Sequence, residues 1–431
     1  MNSQSNVVQR LGNIIVFLIL LMPIVRYYNV PGTDVGSNSA ITLALCLLTP
    51  IAVLYNRNYI SVLVNVSALK QSRYYFVFFF VWSILITLYY EYGGLASGNF
   101  NNAIVAFLSC FVMAMLLTGK IDSTGIFKLY SFLVYVVLAI LFVQWLFSLA
   151  GIYLDFRLPF HEFNGSWKFA DGINFGMEGT NTSVFSEPAH IAEFLIPFLC
   201  YSLFGTNRSK KGMQMAIITT IAVGLTISGT GIVLLGFVWL LYFTIFSDKK
   251  GSNKYLIGVI GIIAIVVLFL TLQALEDYNT MLGKLFLSSD GSLEGNKSSF
   301  RLYRGWDYVF KMPFMDLITG VGFVHMEKFA GIHGIWSVFD NEYKIFEWFS
   351  GITEVLLYFG IIGTIPFVIH IIKLYKRQTN LTKSLVIVFV SLLFTSQILF
   401  QETHFFYLSL IIGSIQYSDK NNGKKQIAAL A

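Results

Sequence analysis

One cluster of ionisable residues in this sequence has a spacing suited to acid–base chemistry. Glu187, His190 and Glu193 are three residues apart, so on a helix they lie roughly along one stripe. A carboxylate beside an imidazole can act as a general base. The alternative is a well-made helix start, with Ser186 as N-cap, Glu187 near the positive end of the helix dipole and Pro188 in the first turn. That alternative does not explain His190 or Glu193, because ionisable groups deeper in an apolar helix are costly and usually functional. We therefore take Glu187 and His190 as candidate catalytic residues.

A second group of residues is cationic. Arg301 and Arg304 are three residues apart and would point the same way on a short helix. Guanidinium groups bind phosphate oxygens in a bidentate manner. We predict that Arg157, Arg301, Arg304 and His333 bind an anionic substrate, with Arg157 the weaker candidate. The alternative is that the arginines are solvated or bind ordinary lipid headgroups.

Metal ligation is not indicated by the cysteines and histidines. Cys46, Cys110 and Cys200 lie in separate apolar runs, without the spacing of a metal site or a disulfide framework. His325 and His333 are eight residues apart and have no cysteine or closely spaced carboxylate beside them. We expect neither a metal nor another cofactor.

The solvent that surrounds these groups follows from composition. The 431-residue chain is 56% hydrophobic and 12% charged, with a mean hydropathy of +0.69. A soluble domain carries about 25% charged residues, so the long apolar runs indicate a protein that spans the lipid bilayer. In such a protein the net charge of +6 is explained by the excess of cations in cytoplasmic segments. We do not expect a nucleic-acid partner.

The apolar runs predict an all-α polytopic membrane protein with about twelve transmembrane helices. Runs 213–246 and 384–417 are each too long for one crossing and are flanked by basic residues at both ends, so each is predicted to cross twice. Their external turns are placed at 228–231 and 401–404. The other predicted helices are at about 12–30, 40–56, 74–92, 101–118, 129–152, 183–205, 255–275 and 351–372.

The distribution of cations orients these helices. In this arrangement nineteen of the 29 Lys and Arg residues are cytoplasmic, nine are external, and Arg26 is in the first helix. Both termini are therefore expected in the cytoplasm. Residues 1–431 form a single integral membrane domain with two large external loops, at 153–182 and 276–350, the second containing short helices. Long ordered loops are usually functional, and the candidate residues lie in or beside these two.

Several motifs, taken in order, resemble the bacterial O-antigen polymerase family. The chain has Ser-Glu-Pro-Ala-His at 186–190 opening a mid-chain helix, then Ser-Gly-Thr-Gly at 228–231. Next come Arg-Leu-Tyr-Arg-Gly-Trp at 301–306, Pro313, and Gly-Val-Gly-Phe at 320–323. The segment 354–363, Glu-Val-Leu-Leu-Tyr-Phe-Gly-Ile-Ile-Gly, resembles the family's next helix. The resemblance covers roughly residues 150–370 and the helix count.

This resemblance implies a membrane glycosyltransferase fold and a metal-independent reaction. Such proteins join oligosaccharide repeat units of O-antigen or capsule at the outer face of the bacterial inner membrane, in lipopolysaccharide and polysaccharide biosynthesis. Donor and acceptor are carried on undecaprenyl pyrophosphate, and a chain-length regulator and a flippase are expected partners. Loop arginines are the family's usual functional residues, and Arg157, Arg301 and Arg304 fall in the matching loops. A family glycine eleven residues after a loop arginine is replaced here by Lys168, Met312 or Met315, so the essential arginine stays open.

Three other functions remain open on the sequence alone. An O-antigen ligase would use the same chemistry to pass the finished chain to lipid A-core. A transporter or flippase of lipid-linked oligosaccharide would need buried mid-membrane charges and broken helices. A scaffold or receptor would bind lipid-linked sugar without turnover, by stacking on aromatic loop residues. The external tryptophans available for stacking are Trp167, Trp306, Trp336 and Trp348.

Overall fold

A computed structural model describes the helical parts of the chain that carry most of these candidates. The predicted helices at 101–118 and 255–275 lie outside the described residues, as does most of the 153–182 loop. The model covers residues 2–26, single residues and short runs within 28–48 and 75–89, and, apart from isolated positions, 123–154, 182–205, 209–244, 297–322, 326–335 and 349–415.

The described residues are predominantly helical and contain no β-strand, as the predicted all-α class requires. Short helical runs also occur within 37–48 and 75–89. In chain order the helices are α1 (Asn2–Val25), α2 (Ser123–Leu149), α3 (Pro188–Cys200), α4 (Lys210–Leu225), α5 (Gly229–Phe243), α6 (Lys297–Lys311), α7 (Phe314–Thr319), α8 (Met326–His333), α9 (Gly351–Tyr375), α10 (Asn380–Thr395) and α11 (402–415).

Helices long and apolar enough to cross a membrane are present in this part of the chain. Three qualify by length and composition: Gly125–Leu149, Pro188–Gly205 and Gly351–Tyr375. Shorter apolar helices occupy Asn13–Val25, Gly229–Phe243 and Asn380–Thr395. Large apolar side chains such as Phe132 and Leu146 on α2 face outward. A soluble monomer rarely exposes such surfaces, so these helices indicate a membrane protein.

Both long apolar runs divide into two helices, as predicted. The first divides between α4 and α5, where the Ser228 side chain caps α5 by accepting a hydrogen bond from the Gly231 amide at 3.1 Å. A Cβ on Gly231 would come within 2.7 Å of the Ala192 Cβ, so glycine allows the start of α5 to pack closely on α3. The second run divides between α10 and α11 across residues 396–401.

The start of α3 differs from the prediction by one position. The N-cap is Glu187, with φ −137° and ψ 150°, and its side chain makes no capping hydrogen bond. Pro188 is the first helical residue, and a residue before proline is sterically pushed out of the helical region. Ser186, the predicted N-cap, lies outside the described residues. The first helix, predicted at 12–30, is Asn2–Val25, so it begins ten residues earlier, and the helix predicted at 129–152 is Ser123–Leu149.

Pro197 inside α3 shapes the centre of the bundle. Because proline has no amide hydrogen, the Glu193 carbonyl four residues earlier loses its helical donor. The Tyr407 hydroxyl of α11 donates to that carbonyl instead, at 2.9 Å. The Tyr130 hydroxyl of α2 donates to the next carbonyl, that of Phe194, at 2.5 Å. These two tyrosines connect α2, α3 and α11. A π-helical turn, Tyr201–Gly205, directly follows α3.

Gly320 and Gly360 allow two backbones to cross in contact. Gly360 interrupts α9 with φ 62° and ψ −168°, and Gly320 has φ 78° and ψ 169°, a region that essentially only glycine occupies. In an unbroken helix the carbonyls of residues 357 and 358 would accept from residues 361 and 362. Here the Leu357 carbonyl accepts from the Val321 amide and the Tyr358 carbonyl from the Gly322 amide, both at 2.9 Å. The 320–322 segment is thus attached to the break in α9.

We expect Gly360→Ala to destabilise the protein strongly. The new Cβ would lie 2.4 Å from the Gly320 amide nitrogen and the Ile318 carbonyl oxygen, and the strained backbone alone costs about 1–3 kcal/mol. The measurement is the thermal unfolding midpoint of the purified protein in mild detergent. Gly331→Ala on α8 is the control, because its Cβ meets nothing within 4 Å. Equal midpoints for the two variants would contradict the crossing.

Candidate functional site

Arg304 is buried where α6 approaches the start of α9. Its side chain is 1% exposed, and its guanidinium carbon lies 5.6 Å from the centre of the Phe349 ring. The adjacent Gly305 makes this approach possible, since a Cβ there would lie 2.1 Å from the Thr353 Oγ1. A guanidinium held out of water is costly unless its surroundings compensate the charge. Burial rules out the alternative that Arg304 is simply solvated.

Glu354 lies close to the same helix start. It is the fourth residue of α9 and is 3% exposed. Its Oε1 atom accepts a hydrogen bond from the Gln397 Nε2 at 2.8 Å. Its Oε2 atom is buried and has no hydrogen-bond partner among the described residues. A carboxylate therefore stands beside the buried arginine's helix, with one oxygen oriented by an amide.

Glu193 of α3 provides a second buried carboxylate. It is 5% exposed, and its Oε1 accepts from the Ser396 hydroxyl at 2.9 Å. The Ser396 carbonyl accepts from the Gly351 amide at 3.0 Å, which attaches the end of α10 to the start of α9. Consecutive residues, Ser396 and Gln397, thus each hydrogen-bond one carboxylate from a different helix. We call Glu193 and Glu354 the carboxylate pair.

An ion pair joins two further helices at this end of the bundle. Arg26, just after α1, lies with its Nε 3.4 Å from the Glu402 carboxylate and donates to the Gln401 side-chain oxygen at 2.5 Å. Tyr28 donates to the Val184 carbonyl, just before α3, at 2.7 Å. The ends of α1 and α10 therefore meet the starts of α3, α9 and α11. We call this region the polar end of the bundle.

The residues predicted from sequence are distributed unevenly. Glu187 and His190 are half-buried at the start of α3, and the Glu187 carbonyl accepts from the His190 amide at 3.1 Å. Arg301 is in α6, one turn before Arg304. Arg157 lies outside the described residues. His333 is exposed at the end of α8, with its ring centre 4.4 Å from that of Phe329.

Glu354 and Gln397 are candidate functional residues that the sequence analysis missed. Glu354 was noticed only as part of a family-like segment, although an ionisable residue inside an apolar run is itself a functional signal. Gln397 carries no such signal, because an amide near a helix end has many ordinary roles. Its pairing with a residue 43 positions away depends on the packing of α9 against the end of α10.

The polar end combines a cation with two carboxylates away from water. In low dielectric, a fixed guanidinium interacts strongly with an anion, and an oriented carboxylate can bind or deprotonate a hydroxyl. Among the described residues no three His, Cys, Asp or Glu side chains group closely enough to hold a metal ion. The arrangement offers a guanidinium suited to an anion and carboxylate oxygens suited to a hydroxyl group.

Comparison with known proteins adds no relative to this picture. A scan against protein-family models finds no matching family. A search of curated protein sequences finds no match.

A double-mutant cycle should show strong coupling between Glu354 and Gln397. Replacing either by Leu leaves the other's buried polar group without its partner, while replacing both removes the mismatch. We expect a coupling free energy of about 1–3 kcal/mol, measured by unfolding in mixed micelles. The control cycle uses the Asp307–Lys311 pair on α6, 2.9 Å apart and partly exposed, where about 0.5 kcal/mol or less is expected. Indistinguishable coupling in the two cycles would contradict the burial argument.

Proposed function

We propose that this protein is a polysaccharide polymerase of the bacterial inner membrane. It joins oligosaccharide repeat units carried on undecaprenyl pyrophosphate, at the outer face of a twelve-helix membrane domain whose termini are cytoplasmic. The supporting observation is the burial of Arg304, at 1% exposure, at the same end of the bundle as two buried carboxylates. The motif order resembling O-antigen polymerases supports the same reaction class.

Arg304 suits the leaving group of this reaction. When the glycosidic bond to the carrier breaks, negative charge grows on the pyrophosphate, and a fixed guanidinium stabilises that charge most in a site without water. An arginine presents a planar fork that matches two phosphate oxygens. Arg301, one turn earlier on α6, supplies a second cation from the same helix. The carrier's pyrophosphate lies at the depth of the lipid headgroups, where a bundle end meets it.

The bond-forming step needs a group that accepts a proton. The acceptor sugar hydroxyl attacks the anomeric carbon of the donor chain, and lipid pyrophosphate departs. The sequence predicts Glu187, assisted by His190, for this role. Their half-buried position at the start of α3 is compatible with access from the polar end.

Transport of lipid-linked oligosaccharide is the second candidate function, because two spanning helices are discontinuous. The Gly360 break divides α9, and Pro197 with its π-helical turn distorts the end of α3. Discontinuous helices are a feature of many transporters. Purified protein that elongates lipid-linked sugar without an ion gradient would exclude this function, whereas gradient-driven movement of the sugar without elongation would replace our proposal.

Arg304→Ala should abolish long polysaccharide in a cell that lacks the native gene. Loss of a fixed charge stabiliser costs about 10²–10³ in rate, and Arg304→Lys should restore little because it lacks the planar fork. The readout is the polysaccharide ladder on a gel, with the membrane level of each variant checked by immunoblot. Arg301→Ala and Glu187→Ala extend the test.

Lys311→Ala is the matched control, since this cation lies on the same helix but is exposed. It should leave the ladder intact. A normal ladder from Arg304→Ala would refute the assigned role. Single repeat units on lipid A-core in the deletion strain indicate a polymerase, and a core without any repeat unit indicates the ligase instead.

Topology can be tested separately by cysteine labelling in a background without the native cysteines. A cysteine at Ile332, which is 67% exposed, should react with a membrane-impermeant maleimide in intact spheroplasts. A cysteine at the exposed Lys210, predicted to be cytoplasmic, should react only after permeabilisation. The opposite result would place the polar end in the cytosol and exclude a reaction at the outer face.

A further inference from the structure

The two buried carboxylates differ in how their capacity to accept hydrogen bonds is used. Glu193 is built into the bundle, because Ser396 donates to its side chain and Tyr407 donates to its backbone carbonyl. Glu354 accepts from Gln397 on Oε1 and has the Leu399 backbone close to its carboxyl, but its Oε2 has no hydrogen-bond partner among the described residues. A buried acceptor left without a donor costs about 1–3 kcal/mol. An incoming hydroxyl would recover that free energy, which makes Oε2 a binding point for a hydroxyl-bearing ligand.

The orientation of the Glu354 carboxylate is fixed from two sides. The Gln397 amide holds Oε1 at 2.8 Å. The backbone that carries Gln397 is attached to α9 itself, through the hydrogen bond from the Gly351 amide to the Ser396 carbonyl. Because Oε1 is held, the position of Oε2 is also fixed. A base in a fixed position is suited to proton transfer in the transition state.

Glu354 is also close to the cationic helix. Its neighbour Thr353 packs on Gly305, and Arg304 lies against Phe349, two residues before α9 begins. Glu354 is the fourth residue of α9, so it lies only about 5 Å along the axis from the helix start. A donor pyrophosphate at Arg304 and an acceptor hydroxyl at Glu354 would therefore meet at the same helix start.

We infer that Glu354, oriented by Gln397, binds the acceptor sugar hydroxyl and is the base of the transfer reaction, in place of Glu187. This inference rests on the polymerase function proposed above. In the step, the O–H bond of the acceptor breaks and its proton passes to Glu354 Oε2. The oxygen forms a bond to the donor's anomeric carbon, and the bond from that carbon to the pyrophosphate oxygen breaks. The electron pair leaves on the lipid pyrophosphate.

Glu187 then has a different role. It occupies the N-cap position before Pro188 and makes no side-chain capping hydrogen bond. A carboxylate at this position interacts favourably with the positive end of the α3 dipole. Replacing it should lower the thermal unfolding midpoint slightly and leave kcat close to wild type. The two glutamates are consequently separable by experiment.

The test uses full-length protein in lipid nanodiscs with a lipid-pyrophosphate-linked repeat unit as donor and acceptor. We expect Glu354→Gln, which preserves shape, to lower kcat about 10²- to 10⁴-fold with an unfolding midpoint close to wild type. Glu327→Gln, an exposed carboxylate on α8, is the control and should keep wild-type activity. Glu187→Gln is compared in parallel.

The outcomes distinguish failure of the role of Glu354 from failure of the polymerase function. No polymer from wild-type protein overturns the polymerase function itself. Polymer from wild type and equally from Glu354→Gln overturns only the role of Glu354, as does loss of activity confined to Glu187→Gln. Activity loss in Glu354→Gln that merely parallels unfolding also overturns it. If Glu354→Gln cannot be recovered folded, Glu354→Asp decides, because withdrawing the carboxylate by about 1 Å should cost about 10²-fold in kcat.

Discussion

Ionisable side chains removed from water inside an apolar helical bundle constrain the rest of this structure. Arg304, Glu193 and Glu354 each require partners supplied by the protein, since hydrocarbon offers none. The chain meets this demand by bringing several helix ends together, so that Ser396 and Gln397 reach carboxylates on two different helices. The polar end is thus a consequence of where charges can be accommodated.

Breaks in the helices are the second means of satisfying polar groups. Pro197 frees the Glu193 carbonyl for Tyr407, and Gly360 frees two carbonyls of α9 for the 320–322 segment. In each case an interrupted helix gains a tertiary hydrogen bond, which positions a neighbouring element. The segment carrying α6 and α7 is attached to α9 in this way. The position of Arg304 therefore depends on two glycines that touch no substrate in the proposed reaction.

The contrast between Arg304 and Lys311 shows how one amphipathic helix divides its cations. Arg304 faces α9 and is buried, whereas Lys311 pairs with Asp307 at the surface. A surface ion pair contributes little to stability and is screened by salt. A buried guanidinium interacts more strongly with nearby charges, because the dielectric constant around it is low. Position on the helix, not residue type, separates a candidate binding group from a solubilising one.

Composition and periodicity alone determined the membrane class, the helical architecture and the division of the runs 213–246 and 384–417. These follow from local physics: long apolar runs, their length against bilayer thickness, and polar or glycine residues at their midpoints. The turns predicted at 228–231 and 401–404 lie a few residues earlier in the structure, between Leu225 and Gly229 and across 396–401. The sequence also indicated Arg304, from its spacing to Arg301. The burial of Arg304 and the hydrogen bond between Glu354 and Gln397 were decided only by the tertiary structure. Residues 354 and 397 meet because the consecutive helices α9 and α10 pack against each other, with the start of α9 beside the end of α10. The apolar pattern of the two helices does not specify which of their side chains face each other.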